Sequence, residues 1–224
     1  MHWNRKHVPA MLAAFTLAAG LSFGAVANGD ASSRMVSNTE PEHARACLSA
    51  AGEAEAQLGL PSGLLAAITL IESAAHPYAI GTPERSTYAS SREEAVRLAR
   101  QAPAGASGGC FQINIGVHAK RNPAWVFDPW QSALFAGRML ARHSAERGGD
   151  WGHAVARYAG ARPGTAAARQ HRCRVAASLS GLGHAQPRGL NTEGCRPGEA
   201  RTARDKAEVI AQAAFGPEAL AQDR

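Results

Sequence analysis

Leu64, Leu65, Ile68 and Ile71 recur at helical spacing, with Ala66, Ala67 and Leu70 filling the gaps. A segment apolar nearly all round predicts the buried central helix of a helical fold. Gly59-Leu60-Pro61 precedes it, and Pro61 suits its first turn. His76-Pro77 ends it. Upstream, the Ala-rich run from Glu42 to Leu58 has few breakers and predicts another helix. Downstream, the Pro, Gly and Ser/Thr residues of 76–90 predict a loop, with a small hairpin around Thr87-Tyr88-Ala89. Ser91-Arg92-Glu93-Glu94 forms a capping box that opens a short helix through about Arg100. Gly105 to Gly109 predicts a flexible turn, and Phe111 to Ile115 alternates apolar and polar.

The second half repeats the helical pattern. Asp128 caps a helix with Pro129 at its first position, reaching about Arg147 before Gly148-Gly149. Asp150 caps the next, which ends at Gly160. Further helices are expected at Thr165–Leu179 and near Thr202–Phe215. The predicted fold is mainly α, with at most a small β-hairpin and a partly helical C-terminal tail.

Composition narrows the class. The 224 residues are 45% hydrophobic, 19% charged and 6% aromatic. That excludes a disordered or collagen-like chain, and only one apolar run approaches membrane-spanning length. This run, Met11 to Val26, follows Arg5 and Lys6 and ends at Ala25-Val26-Ala27, a small-x-small cleavage pattern. Residues 1–27 therefore read as a secretory signal, and residues 28–41 as a polar linker. The mature chain is expected to be periplasmic or secreted, with no stable membrane anchor once the signal is cleaved.

Residues 28–160 hold twelve basic and twelve acidic side chains, whereas residues 161–224 hold ten and six. The net charge of +6 is thus concentrated at the two ends. This pattern argues against a nucleic-acid binder with a broad basic face. The basic tail from residue 181 reads as solvated, compatible with contact to anionic wall polymers or to a secretion or conjugation machinery.

The four cysteines, Cys47, Cys110, Cys173 and Cys195, all lie beyond the signal. An even count in an exported chain favours two disulfides among three possible pairings. The pairing taken here joins Cys47 to Cys110 and Cys173 to Cys195. No C-x-x-C or H-E-x-x-H occurs, and His171 beside Cys173 is too little for a metal site. Neither a metal nor a cofactor is expected.

Glu72 is the most informative residue. It follows Leu70 and Ile71 at the C-terminal end of the most hydrophobic helix of the mature chain. Apolar surroundings and the negative helix end both disfavour its charged form, and so raise its pKa towards that of a general acid working near neutrality. Its company sharpens the reading. Ile71-Glu72-Ser73, Gly109-Cys110-Phe111-Gln112-Ile113-Asn114, Ala136-Gly137-Arg138-Met139-Leu140 and Ala156-Arg157-Tyr158-Ala159-Gly160 follow in order after Gly59-Leu60-Pro61. This set, spanning roughly residues 42–175, resembles the catalytic domain of the soluble lytic transglycosylase family, goose-lysozyme-like enzymes that cleave bacterial peptidoglycan.

The resemblance implies a lysozyme-like helical domain over 42–180, with peptidoglycan glycan strands as substrate. It implies that Glu72 is the sole catalytic acid/base and that the Ser73 hydroxyl helps position substrate. It implies that Gln112 and Asn114 are a polar pair on the cleft floor, and that Tyr158 supports the protonation state of Glu72. The reaction it implies cleaves the bond between N-acetylmuramic acid and N-acetylglucosamine and closes a 1,6-anhydro ring without water. The chain departs from the family pattern at Ala159, where Asn is usual, and at Phe111, where Met or Leu is usual. Its segment between Glu72 and Gln112 is also longer than in many members.

Three other readings compete. A lysozyme-like hydrolase needs a second carboxylate, and Glu84, in the loop after the helix, is the candidate, since Glu93, Glu94 and Asp128 already serve as caps. A serine hydrolase is suggested by the G-x-S-x-G match at Gly105–Gly109, with Asp128 or Asp150 and then His153 downstream. That motif requires a strand before it and a helix after it, which the pattern does not supply. A non-catalytic wall-binding assembly factor retaining the cleft is the third. Trp125, Trp130 and Trp151 are candidates either for sugar stacking or for packing between helices.

Overall fold

The structure is a computed structural model that describes residues 40–162 and 164–217. The expected secretory signal and nearly all of the linker lie outside the described residues. Seven α-helices are described: α1 (Pro41–Leu58), α2 (Leu64–Ser73), α3 (Arg92–Arg100), α4 (Pro129–Ala145), α5 (Trp151–Tyr158), α6 (Ala166–Gly181) and α7 (Pro197–Phe215). No described helix is long and apolar enough to cross a membrane.

The helices begin where local chemistry says they should. Ser91 accepts from Glu94 N, Asp128 from Gln131 N, Asp150 from His153 N and Thr165 from Ala168 N, each occupying one of the amides a helix N-terminus leaves unpaired. Helix α2 lies at the centre of the bundle, with Leu64, Leu65, Ala67, Ile68 and Leu70 sealed from solvent. Its start differs from the expectation. Pro61 belongs to the preceding turn, because the cap comes from α1, where the Glu55 carboxylate accepts from Gly63 N, Leu65 N and Ala66 N at 2.6, 2.6 and 3.1 Å.

The β structure exceeds the expected hairpin. Strand β1 (Ala79–Gly81) pairs antiparallel with β2 (Ser86–Tyr88), with Ile80 opposite Thr87. Two further short strands, β3 (Ser107–Gly108) and β4 (Ile113–Asn114), extend it to a four-stranded sheet of order β2-β1-β3-β4. Ile80 opposes Gly108, and Gly108 opposes Ile113. The stretch read as a flexible turn is therefore a strand followed by a tight bend. The bend requires glycine. Gly109 has φ +75°, and a Cβ there would stand 2.0 Å from the Val126 carbonyl oxygen.

The tail is not simply solvated. Helix α7 buries Ala203, Ala207, Ile210, Ala211 and Ala214, half-buries Lys206, and leaves Arg201 and Arg204 exposed. Small side chains allow close packing without a large core of their own, and at Gly181 the α7 backbone approaches so closely that a Cβ would meet Arg204 O at 2.4 Å. Arg45 on α1 donates to Ala214 O at 2.7 Å, fastening the far end. Both disulfides take the expected pairing, Cys47–Cys110 and Cys173–Cys195. Trp125, Trp130 and Trp151 are half-buried against the core.

Candidate active site

Helix α2 ends abruptly after Glu72 and Ser73. Ala74 and Ala75 both adopt left-handed backbone, with φ of 55° and 58°, and both are buried. Non-glycine residues there cost of order 1 kcal/mol or more each, so the turn is held by its surroundings. It leaves the Glu72 side chain at the bundle edge, 19% exposed. Burial pushes this carboxyl up to about 7, with the Arg174 guanidinium opposing the rise. The rise expected from apolar company is present, carried by burial.

Glu72, Gln112, Asn114 and Tyr158 line one cleft of about 340 Å³, together with Ser107, His118 and Met139. Four of the five residues expected at a sugar-binding site are thus brought together. Ser73 is not among them. It is 3% exposed, and its hydroxyl donates to Cys110 O at 2.8 Å and to Thr69 O at 3.2 Å while accepting from His76 N. Its neighbour Thr69 donates to the same Cys110 carbonyl at 2.9 Å. Ser73 therefore clamps the Gly109–Gln112 bend onto α2 and does not line the cleft. The Cys47–Cys110 disulfide ties the same bend to α1.

Gln112 is also more structural than expected. Its backbone is left-handed, with φ 46°. Its amide oxygen accepts from Ser107 Oγ at 2.8 Å, and its Nε2 reaches Ala79 O at 3.3 Å and Gly109 O at 3.2 Å. The amide thus pins β1, β3 and the bend together at the cleft wall. Asn114 caps the following π-helical turn (Ile115–Ala119) through Oδ1, which accepts from Val117 N, so Nδ2 is the group it can offer a ligand.

Tyr158 on α5 donates its phenol proton to Phe111 O at 2.6 Å rather than to Glu72. Burial, followed by the nearby Glu72 charge, holds its pKa well above the ordinary phenol value. A phenol whose only proton is engaged elsewhere offers the carboxyl acceptor lone pairs alone.

His171 and Arg174 on α6 complete the surroundings of Glu72, and sequence reasoning assigned neither to the site. His171 Nε2 lies 3.5 Å from Glu72 Oε1. Burial, then Arg174, lowers the imidazole to about 4, so it is neutral near pH 7. No local motif marks these residues, because they reach Glu72 from about a hundred positions away.

The competing constellations are not assembled. Ser107 Oγ is bound to Gln112, Asp150 caps α5, and His153 faces Glu146 at 3.4 Å, so no Ser-His-Asp arrangement forms. Glu84 is exposed in the β1–β2 turn and does not line the cleft. Among the described residues Glu72 is the one carboxylate lining it, and no group of three or more His, Cys, Asp or Glu is placed to hold a metal.

Compared with known proteins, the chain matches a family model described as the transglycosylase SLT domain over residues 49–174. The match contains α2, the sheet and α5, and stops within α6. No curated protein and no solved structure matches the chain.

Proposed function

The chain belongs to the transglycosylase SLT domain family, whose general function is lytic-transglycosylase-type cleavage of peptidoglycan, and from that premise we propose the following reaction. Protonated Glu72 donates to the glycosidic oxygen between N-acetylmuramic acid and N-acetylglucosamine. Positive charge develops at the muramic C1, assisted by the sugar's own N-acetyl group. The Glu72 carboxylate then removes the C6 hydroxyl proton, and that oxygen closes onto C1 as a 1,6-anhydro ring. The proton count balances with one carboxyl and no water.

The observation that carries this reading is a lone cleft carboxyl whose burial raises it to about 7. A group titrating there is acid and base in turn at neutral pH, as a single-residue proton shuttle requires. Glycosidases that hydrolyse use two carboxyls as a rule, and among the described residues no second one lines this cleft. Tyr158, whose proton is given to Phe111 O, has none to offer the Glu72 carboxylate. Asn114 Nδ2 is the donor assigned to the sugar or its peptide.

Digestion of cell-wall sacculi by the mature protein, followed by mass spectrometry of the soluble fragments, tests the proposal. Anhydro-muropeptides are expected. Reducing-end products would make the enzyme a hydrolase, and binding without release would make it a wall-binding factor.

A further inference from the structure

One buried side chain beyond those assigned above touches the proton-shuttling carboxyl. His171 projects from α6 with 8% of its side chain exposed, and its Nε2 lies 3.5 Å from Glu72 Oε1. That nitrogen is sealed from solvent and has no hydrogen-bond partner, the Glu72 oxygen lying just beyond bonding geometry. We infer that His171 is a positioning residue whose Nε2–H tethers Glu72 Oε1, leaving Oε2 as the atom that exchanges the proton with the sugar. The inference rests on the reading of Glu72 as acid and base.

The assignment of the proton follows from what each tautomer would meet. A neutral imidazole carries one N–H. With the proton on Nδ1, the Nε2 lone pair would face the carboxylate each time Glu72 gives up its proton, and the two would repel with no solvent reaching Nε2. With the proton on Nε2, Oε1 accepts in both stages, first as the carbonyl oxygen of the acid and then as a carboxylate oxygen. Charge-assisted hydrogen bonds are shorter than neutral ones. The 3.5 Å separation is therefore the resting length of a contact that tightens as Glu72 ionises. His171 itself neither gains nor loses a proton.

Other charges around the pair do not supply this tether. On α6, Arg174 acts on Glu72 through space and is drawn towards Glu199 of α7 at 3.8 Å. Lys206 of α7 is lowered by burial and then by Arg174. From α5, Tyr158 directs its hydroxyl to Phe111 O. Among the described residues, His171 is the group whose unpartnered polar atom stands next to the Glu72 oxygen.

The test uses the mature chain. His171→Leu removes the donor, and kcat on sacculi should fall about tenfold or more with KM little changed. Losing a donor to the carboxylate raises the Glu72 pKa, so the alkaline limb of the pH–rate profile should move up by about one unit. His171→Gln, with an amide N–H in comparable reach, should restore both. Nitrogen-15 NMR of the wild-type imidazole should find the proton on Nε2, a readout needing neither activity nor a stable variant. A proton on Nδ1 overturns the inference, as does a folded His171→Leu protein with wild-type kcat and an unmoved limb. If wild-type protein releases no anhydro products, the proposed reaction fails, while the NMR tautomer still decides the contact.

Discussion

Glu72 meets two demands that oppose each other. Its proton transfers need a carboxyl poised near neutrality, and its fold is disturbed whenever that carboxyl ionises. The folded pKa of about 7 exceeds the ordinary 4.5. A raised carboxyl contributes stability that is complete below its unfolded pKa and lost as pH rises through the folded one. The shift is worth up to about 3 kcal/mol by pH 8. Glu72→Gln should therefore abolish glycan release while raising the melting temperature at pH 8 by a few degrees, read by calorimetry alongside the sacculus digest. A variant that is inactive because it melts earlier would contradict this. The carboxyl was legible beforehand because its cause is local, a charged residue closing a run of Leu and Ile. Ser73 was misread because its partner, Cys110 O, lies 37 positions away, and adjacency to Glu72 says nothing of which way a hydroxyl turns.

At the scale of elements, the helices and the β1–β2 hairpin are legible, and the extension by β3 and β4 is not. Helices carry their own signals, periodicity along the run and a capping side chain at its start, and Ser91, Asp128, Asp150 and Thr165 all cap as their positions suggest. Strands of two or three residues are too short to show a period of two, and β3 owes its place to Gly108 and Gly109 packing against Val126 and Phe127. The cap of α2 was hidden for the same reason, since Glu55 comes from a different helix. It is buried, and its carboxyl is raised by desolvation although three backbone amides pull it down. Glu55→Ala would leave those amides without their acceptor. A loss of about 2–4 kcal/mol is expected, measured by urea unfolding, together with weaker activity because α2 carries Glu72. The Cys47–Cys110 disulfide acts on the other side of the same helix, holding the bend whose carbonyl meets Thr69 and Ser73. Replacing both cysteines by serine should cost about 2–5 kcal/mol. It should also lower activity more than the corresponding change at Cys173 and Cys195, which fastens the segment leading to α7.

For the whole molecule, the tail shows what composition conceals. Ten basic side chains beyond residue 160 suggested a solvated segment, yet every third or fourth residue of α7 is a buried Ala or Ile, and α7 closes the bundle over α6 and α1. The arrangement also fixes how stability responds to pH, because the buried titratable groups pull in opposite directions. His76, lowered to about 4 by burial and by His43, and His171, lowered to about 4 by burial and Arg174, are neutral in the fold. Their unfolded forms bind protons from about 6.5 downward, so their contribution is complete above that pH and is lost as pH falls towards 4. Glu72 acts in the reverse sense between 4.5 and about 7, and the raised Glu55 adds to it. Between roughly pH 5 and 6.5 the opposing slopes largely cancel, leaving a plateau on the acid side of neutrality that drops at either end. Melting temperatures measured from pH 4 to 8 should trace that shape, and Glu72→Gln should flatten the alkaline drop and, with its opposing slope gone, let the acid drop begin nearer pH 6.5. An alkaline drop that survives the substitution would mean that the charge destabilising the fold lies elsewhere, and with it the case for Glu72 as the strained, proton-exchanging group.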